Sequence, residues 1–152
     1  RVVEAPEEQQ GNVPLVGHSL AGAVISQVAE RVPEKIARLI YVAAMLPANG
    51  DTPLGSMKSD RHGKLLAKLV FSSDESYATL EKQDIIDVLL HDVDDAELAE
   101  EHADKLSIKQ ATAPFMATAQ LSNERFGGVP KHYICCTLDR VLSPLQDRMI
   151  EN

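Results

Sequence analysis

At 152 residues the chain is long enough for one domain around one core. An apolar share of 44% beside a charged share of 25% is that of an ordinary globular protein. A net charge of −8 argues against nucleic acid or an anionic membrane as partner. No apolar run reaches membrane-spanning length and no secretory signal opens the chain, and with both cysteines read as reduced, cytoplasm is the expected compartment.

Residues 1–11 read as the tail of a helix closed by Gly11, and a chain that opens there looks cut. Residues 13–16 form the first strand. Pro14 cannot donate to a ladder, so it suits the strand's start or an unpaired side. Gly17-His18-Ser19-Leu20-Ala21-Gly22 follows, and then a helical pattern from 20 to about 31. Pro33 disfavours helix at Val32 and ends it. Residues 37–46 are almost continuously apolar, as in a strand buried on both faces of a parallel sheet. Strand, helix and strand in this order imply a right-handed crossover. The loop at 47–55 leaves the strand's C-terminal end, where open α/β sheets carry their ligand sites.

Residues 58–110 change character and are acidic and amphipathic. They predict helices over 63–70, 77–82, 85–90 and 96–106, with Asp94 or Asp95 capping the last. The segment reads as a helical cap inserted into a domain whose sheet and helices come from 1–57 and 111–152. A mixed return at 112–128 and a turn at 127–130 lead to a third strand over 132–137. Ser143 and Pro144 then start a last helix. Cys135 and Cys136 are neighbours in an apolar strand, so they point to opposite faces and read as reduced core residues.

The serine at the apex of a strand-to-helix turn, written G-x-S-x-G, is the pattern of a nucleophile elbow. Strained backbone lifts the hydroxyl clear of the sheet. The positions two before and two after must be small, and here they are Gly17 and Ala21, with Gly22 next. The helix that begins there has N–H groups without intrahelical partners, and the N–H of Leu20 is aimed where an oxyanion would develop.

The elbow, the helical insertion and a strand ending in T-x-D together resemble the α/β-hydrolase family. The closer resemblance is to its branch of small esterases, plant methylesterases and hydroxynitrile lyases. L-V-G-H-S-L-A-G at 15–22 is similar to that branch's elbow, residues 32–47 to its next helix end and strand, and residues 136–152 to its acid-bearing stretch. The resemblance implies a partial α/β-hydrolase fold, with a parallel sheet and a helical cap insertion. It implies Ser19 as nucleophile and Asp139 as triad acid, behind a histidine that it orients. No metal or organic cofactor is implied.

In this family the triad runs serine, acid, histidine along the chain. The histidine is therefore expected beyond residue 152, and the second oxyanion donor before residue 1. The present histidines are weak substitutes. His18 is expected to point away from the pocket, His132 to lie at the far end of the third strand, and His62, His91 and His102 to lie in the cap. His91-Asp92-Val93-Asp94-Asp95 reads as a solvated helix start, because no partner cluster has metal-ligand spacing. The expected function is hydrolysis of a small carboxylic ester by a serine hydrolase, of which this chain alone would be inactive. A cyanohydrin lyase of the same branch and a non-catalytic binding module are the alternatives. Unpaired sheet edges make self-association an expectation.

Overall fold

The computed structural model describes residues 2–60, 63–106 and 109–151. Helix α1 (Glu4–Glu7) is a single turn, and Gly11 beyond it is left-handed with φ 86°. Strand β1 (Val13–Ser19) runs straight into helix α2 (Ala21–Arg31), which ends at Val32 as Pro33 requires. Strand β2 (Ile36–Ala44) follows a short 3-10 turn at Pro33–Lys35. Helix α3 (Pro53–Ser59) begins inside the stretch read as loop. Thr52 caps it by accepting from the Gly55 N–H at 3.0 Å, and Pro53 fits its first turn.

Two predicted helices are absent. Residues 63–70 hold only a 3-10 turn at Leu66–Lys68 before strand β3 (Val70–Phe71), and residues 77–79 are strand β4 (Tyr77–Thr79). Turn chemistry overrides the helical pattern. Asp74 Oδ1 accepts from Ser72 Oγ at 2.7 Å, Ser76 N at 3.1 Å and Ser76 Oγ at 2.9 Å. Those donors, led by the Ser72 hydroxyl, hold the carboxyl at a pKa of about 2. Glu75 turns the corner at φ 55° and closes an antiparallel hairpin. Helices α4 (Lys82–Leu89) and α5 (Ala96–Leu106) follow and pack together. Asp95 caps α5 by accepting from Glu97 N and Leu98 N, at 3.0 and 3.1 Å. Strand β5 (Gln110–Ala111) adds to β4, and helix α6 (Ala113–Met116) leads to strand β6 (Lys131–Ile134) and helix α7 (Ser143–Glu151).

The main sheet has the order β1-β2-β6, and both pairings are parallel. Pro14 sits at a register shift in β1, whose pairing among the described residues is with β2 alone. Both positions suit a residue with no N–H. Helix α2 lays Ile25, Val28 and Ala29 onto Ile36, Leu39, Tyr41 and Ala44. Inside this interface Ser26 Oγ donates to the Gly22 carbonyl at 2.8 Å and lies 2.8 Å from Tyr41 Oη. The serine's one proton is used, so Tyr41 is the donor to it. Met45 and Met57 meet Leu142, Leu145 and Met149 of the α7 segment in a second cluster.

The excursion between β2 and β6 leaves and returns through a narrow neck. Gly50 N donates to Ala119 O at 2.8 Å and Ala119 N to Asp51 O at 2.7 Å. Leu121 N donates to Asn49 Oδ1 at 3.0 Å. The returning chain is then stapled to α2, where Glu30 accepts from Ser122 N, Ser122 Oγ and Phe126 N. Burial pushes the Glu30 carboxyl up, but these donors and Arg125 outweigh it and leave it lowered.

Two stacked tyrosines fix how the sheet responds to alkali. Tyr41 and Tyr133 lie with ring centroids 6.0 Å apart and planes within 5°. Burial is the largest cause that pushes each phenol up to about 12, and donation from the Ser26 hydroxyl and the Ala44 N–H to the ionised forms offsets part of it. The folded value is raised above the ordinary 10, so this contribution to stability is full below pH 10 and is lost as pH rises towards 12. The urea midpoint should therefore fall across pH 10–12. A midpoint flat over that window would contradict the burial of the two phenols.

Candidate active site

The site is built at the C-terminal ends of the three parallel strands, the end at which such sheets bind ligands. Ser19 is the last residue of β1 and takes φ 54°, a left-handed conformation that a side chain other than glycine rarely adopts. Its carbonyl accepts from Met45 N at 2.9 Å, so the strained turn is tied to the end of β2. Leu20 immediately precedes the first residue of α2, which places its N–H at the head of that helix.

The tight packing beneath this turn falls on glycines. A Cβ on Gly17 would lie 2.9 Å from the Ala21 carbonyl carbon and from Gly22 N. A Cβ on Gly22 would lie 2.9 Å from Ala44 Cβ, 3.0 Å from the Met45 carbonyl carbon and closer still to the Met45 oxygen. Ala21 is exposed. The small residue demanded after the serine is thus Gly22, and alanine at position 21 is no defect in the pattern.

Strand β6 ends at Ile134, three residues sooner than predicted, and this changes the cysteines. Both are free and exposed in the loop beyond the strand, not core residues. There the face-to-face alternation of a strand no longer applies. Local desolvation by neighbouring atoms, then Asp147, Cys136 and Asp139, push the Cys135 thiol up. Asp139 follows, half-buried, with its N–H donating to the Cys136 carbonyl at 3.1 Å. Its Oδ1 accepts from Val141 N at 2.9 Å and its Oδ2 from Leu142 N at 2.8 Å. An ionised carboxylate has about four acceptor sites, so capacity remains for a further donor.

Two groups that sequence reasoning missed complete the frame. Tyr133 Oη donates to the Ala44 carbonyl at 2.7 Å and takes the Ala44 N–H at 3.0 Å, opposite Ser19 in the β1–β2 register. Gln146 on α7 is fully buried, with Oε1 accepting from Cys136 N at 3.0 Å and Nε2 donating to Cys136 O at 3.1 Å. Its Nε2 also lies 3.5 Å from Asp139 Oδ2. The signal for Gln146 is present in the sequence, because Leu142, Leu145 and Met149 place it in the middle of an apolar helical stripe.

Ser19, Leu20 and Asp139 all line one cavity of about 1310 Å³, walled largely by apolar side chains from the excursion and from α7's approach. His18 is exposed and belongs to this wall, in contrast to its expected place away from the pocket. His91 lines it as well. His132 lies at the other end of β6, and His102 Nδ1 pairs with the Leu98 carbonyl at 2.8 Å on α5. His62 lies outside the described residues. Among the described residues no group of three His, Cys, Asp or Glu is placed to hold a metal ion, and no helix is long and apolar enough to cross a membrane.

This geometry has close counterparts. A chloroplastic Arabidopsis thaliana protein provisionally named methylesterase 14 is 30% identical over 158 residues, which cover 95% of this chain and 43% of that protein. The pyrethroid hydrolase of Sphingobium wenxiniae is 52% identical over 44 residues, 29% of this chain and 16% of that one. Among solved structures, a pyrethroid hydrolase from Sphingobium faniae matches with a TM-score of 0.79 at 26% identity, over 99% of this chain and 61% of that chain. The chain therefore spans less than half the length of the Arabidopsis relative. The sequence model of the alpha/beta hydrolase family matches residues 2–152, across the parallel sheet, the strained Ser19 turn and the Asp139 loop alike, and the chain belongs to that family.

Proposed function

We propose that this chain is the nucleophile- and acid-bearing part of a serine carboxylesterase. The observation that carries the reading is Ser19, held at φ 54° between β1 and α2, facing the same cavity as Asp139. In the reaction, Ser19 Oγ attacks the acyl carbon of a small ester. Its proton passes to a histidine, and the Leu20 N–H holds the developing oxyanion. The alkoxide leaves with that proton, and water then releases the acid from the acyl-enzyme. Asp139 accepts the histidine's other N–H and fixes its tautomer. The excursion beyond the neck acts as a cap that shields the acyl-enzyme and shapes the pocket. The names of the relatives, a methylesterase and a pyrethroid hydrolase, favour ester hydrolysis over cyanohydrin cleavage.

In this reading the general base does not come from the described histidines. Among the described residues the Asp139 carboxylate accepts from Val141 N, Leu142 N and Gln146 Nε2. The partial coverage of the relatives supports a base supplied from further sequence. The test of the nucleophile is direct. The intact gene product carrying this sequence is labelled with a fluorophosphonate probe and the adduct mapped by peptide mass spectrometry. The adduct is expected on Ser19, and an adduct on another serine with Ser19 unmodified would overturn the assignment.

A further inference from the structure

We infer that Gln146 is a positioning residue for the acid of this site, a conclusion that rests on the reading of Asp139 as that acid. A fully buried glutamine amide in an apolar stripe is costly unless both its ends are bonded. Here both ends are bonded to one residue. Oε1 takes the Cys136 N–H and Nε2 gives to the Cys136 carbonyl, so the side chain pairs with that residue's backbone like a neighbouring strand.

That same Cys136 carbonyl accepts the Asp139 N–H, which closes the turn through Thr137 and Leu138. The carboxylate is gripped on its other side by Val141 N and Leu142 N, and Gln146 N in turn donates to Leu142 O at 2.9 Å. Gln146 thus ties the loop before Asp139 to the chain after it. Its amide N–H also reaches 3.5 Å from the carboxylate. Leu138 beside it is 78% exposed, so apolar burial does little to hold this turn. Without the amide pair, the loop has lost its anchor to α7, and the carboxylate drifts from the line on which it supports an imidazolium.

The experiment is a double-mutant cycle in the intact gene product, with folding checked by circular dichroism and urea midpoint. Gln146→Met keeps side-chain length and volume but removes both hydrogen bonds. It is expected to lower kcat for a p-nitrophenyl ester by about 10–100-fold with KM within a factor of about two, because misalignment acts on the transition state. In an Asp139→Asn background the same change should add almost nothing. A kcat within twofold of the parent, or a full additive loss in the Asp139→Asn background, would overturn the inference. If Asp139→Asn alone leaves kcat unchanged, the acid assignment falls, visibly and before any Gln146 variant is made, and the inference falls with it.

A second variant guards against misfolding. Gln146→Glu keeps the acceptor for Cys136 N–H and, buried beside the Asp139 carboxylate, stays protonated, so that its O–H replaces Nε2 as donor to the Cys136 carbonyl. It should therefore restore kcat to within about threefold of the parent. A folded Gln146→Glu protein as impaired as Gln146→Met would overturn the inference, because the paired bonds to Cys136 would then have no hold on the acid.

Discussion

Ser19→Ala in the intact gene product should lower kcat for a short-chain p-nitrophenyl ester by about 10⁶, as loss of the serine did in a serine protease. A neutral hydroxyl becomes a useful nucleophile only beside a base, and alanine offers none. The 152-residue chain by itself should already be at that floor, indistinguishable from its own Ser19→Ala variant. Asp139 would not serve as the base, because in the proposed triad it stands behind the histidine. Absence of one oxyanion donor would cost a further ~10²–10³, although such losses do not add. Kinetics on the chain, its Ser19→Ala variant and the intact gene product separate the cases. Fast turnover by the chain that Ser19→Ala abolishes would make a histidine of this sequence the base. His18 and His91, which line the cavity, would be the first to test.

Gly22→Ala should destabilise the fold, although alanine is intrinsically the better helix former by about 1 kcal/mol. The added methyl would meet the Met45 carbonyl and lie 2.9 Å from Ala44 Cβ. A backbone carbonyl cannot swing aside as a flexible side chain can. Overpacking of this kind costs about 3 kcal/mol, so the net loss should be about 2 kcal/mol. The urea midpoint should fall with an unchanged slope. The reverse control is Ala21→Gly, which alters an exposed residue and should cost no more than about 1 kcal/mol. A midpoint that rises with Gly22→Ala would mean that strand and helix are not in contact at this turn.

The elbow and the parallel sheet were legible because each rests on a local signal. Gly17, Ser19 and Ala21, with Gly22 next, announce a tight turn, and the apolar run over β2 announces a buried strand. The parallel pairing followed from the crossover and the resemblance together, and the register of the order β1-β2-β6 bears it out. The hairpin of β3 and β4 was lost because its amphipathic residues mimic a helix. The deciding signal was Ser72, Asp74 and Ser76, a turn whose bonds form only once folded. The cysteines were misplaced because the end of β6 is set by where β2 stops pairing, not by the apolar run. Gln146 escaped because a polar residue in an apolar stripe reads as noise until its partner, a backbone 10 residues away, is in view.

The neck at Asn49, Gly50 and Asp51 against Ala119 and Leu121 has a consequence for how this scaffold changes. It closes the excursion before the chain rejoins the sheet, and the Glu30 staple holds the returning strand to α2 independently. What lies between Asp51 and Ala119 is an excursion closed at its neck. Doubling the length of a flexible ring costs only about 0.6 kcal/mol in closure entropy. A foreign segment spliced in between Asp51 and Ala119 would therefore inherit the strained Ser19 turn and bring its own walls to the pocket, but it would have to replace the support that Met57 and Lys64 give to the chain around Asp139. The neck thus leaves the pocket walls open to exchange wherever those two supports are kept.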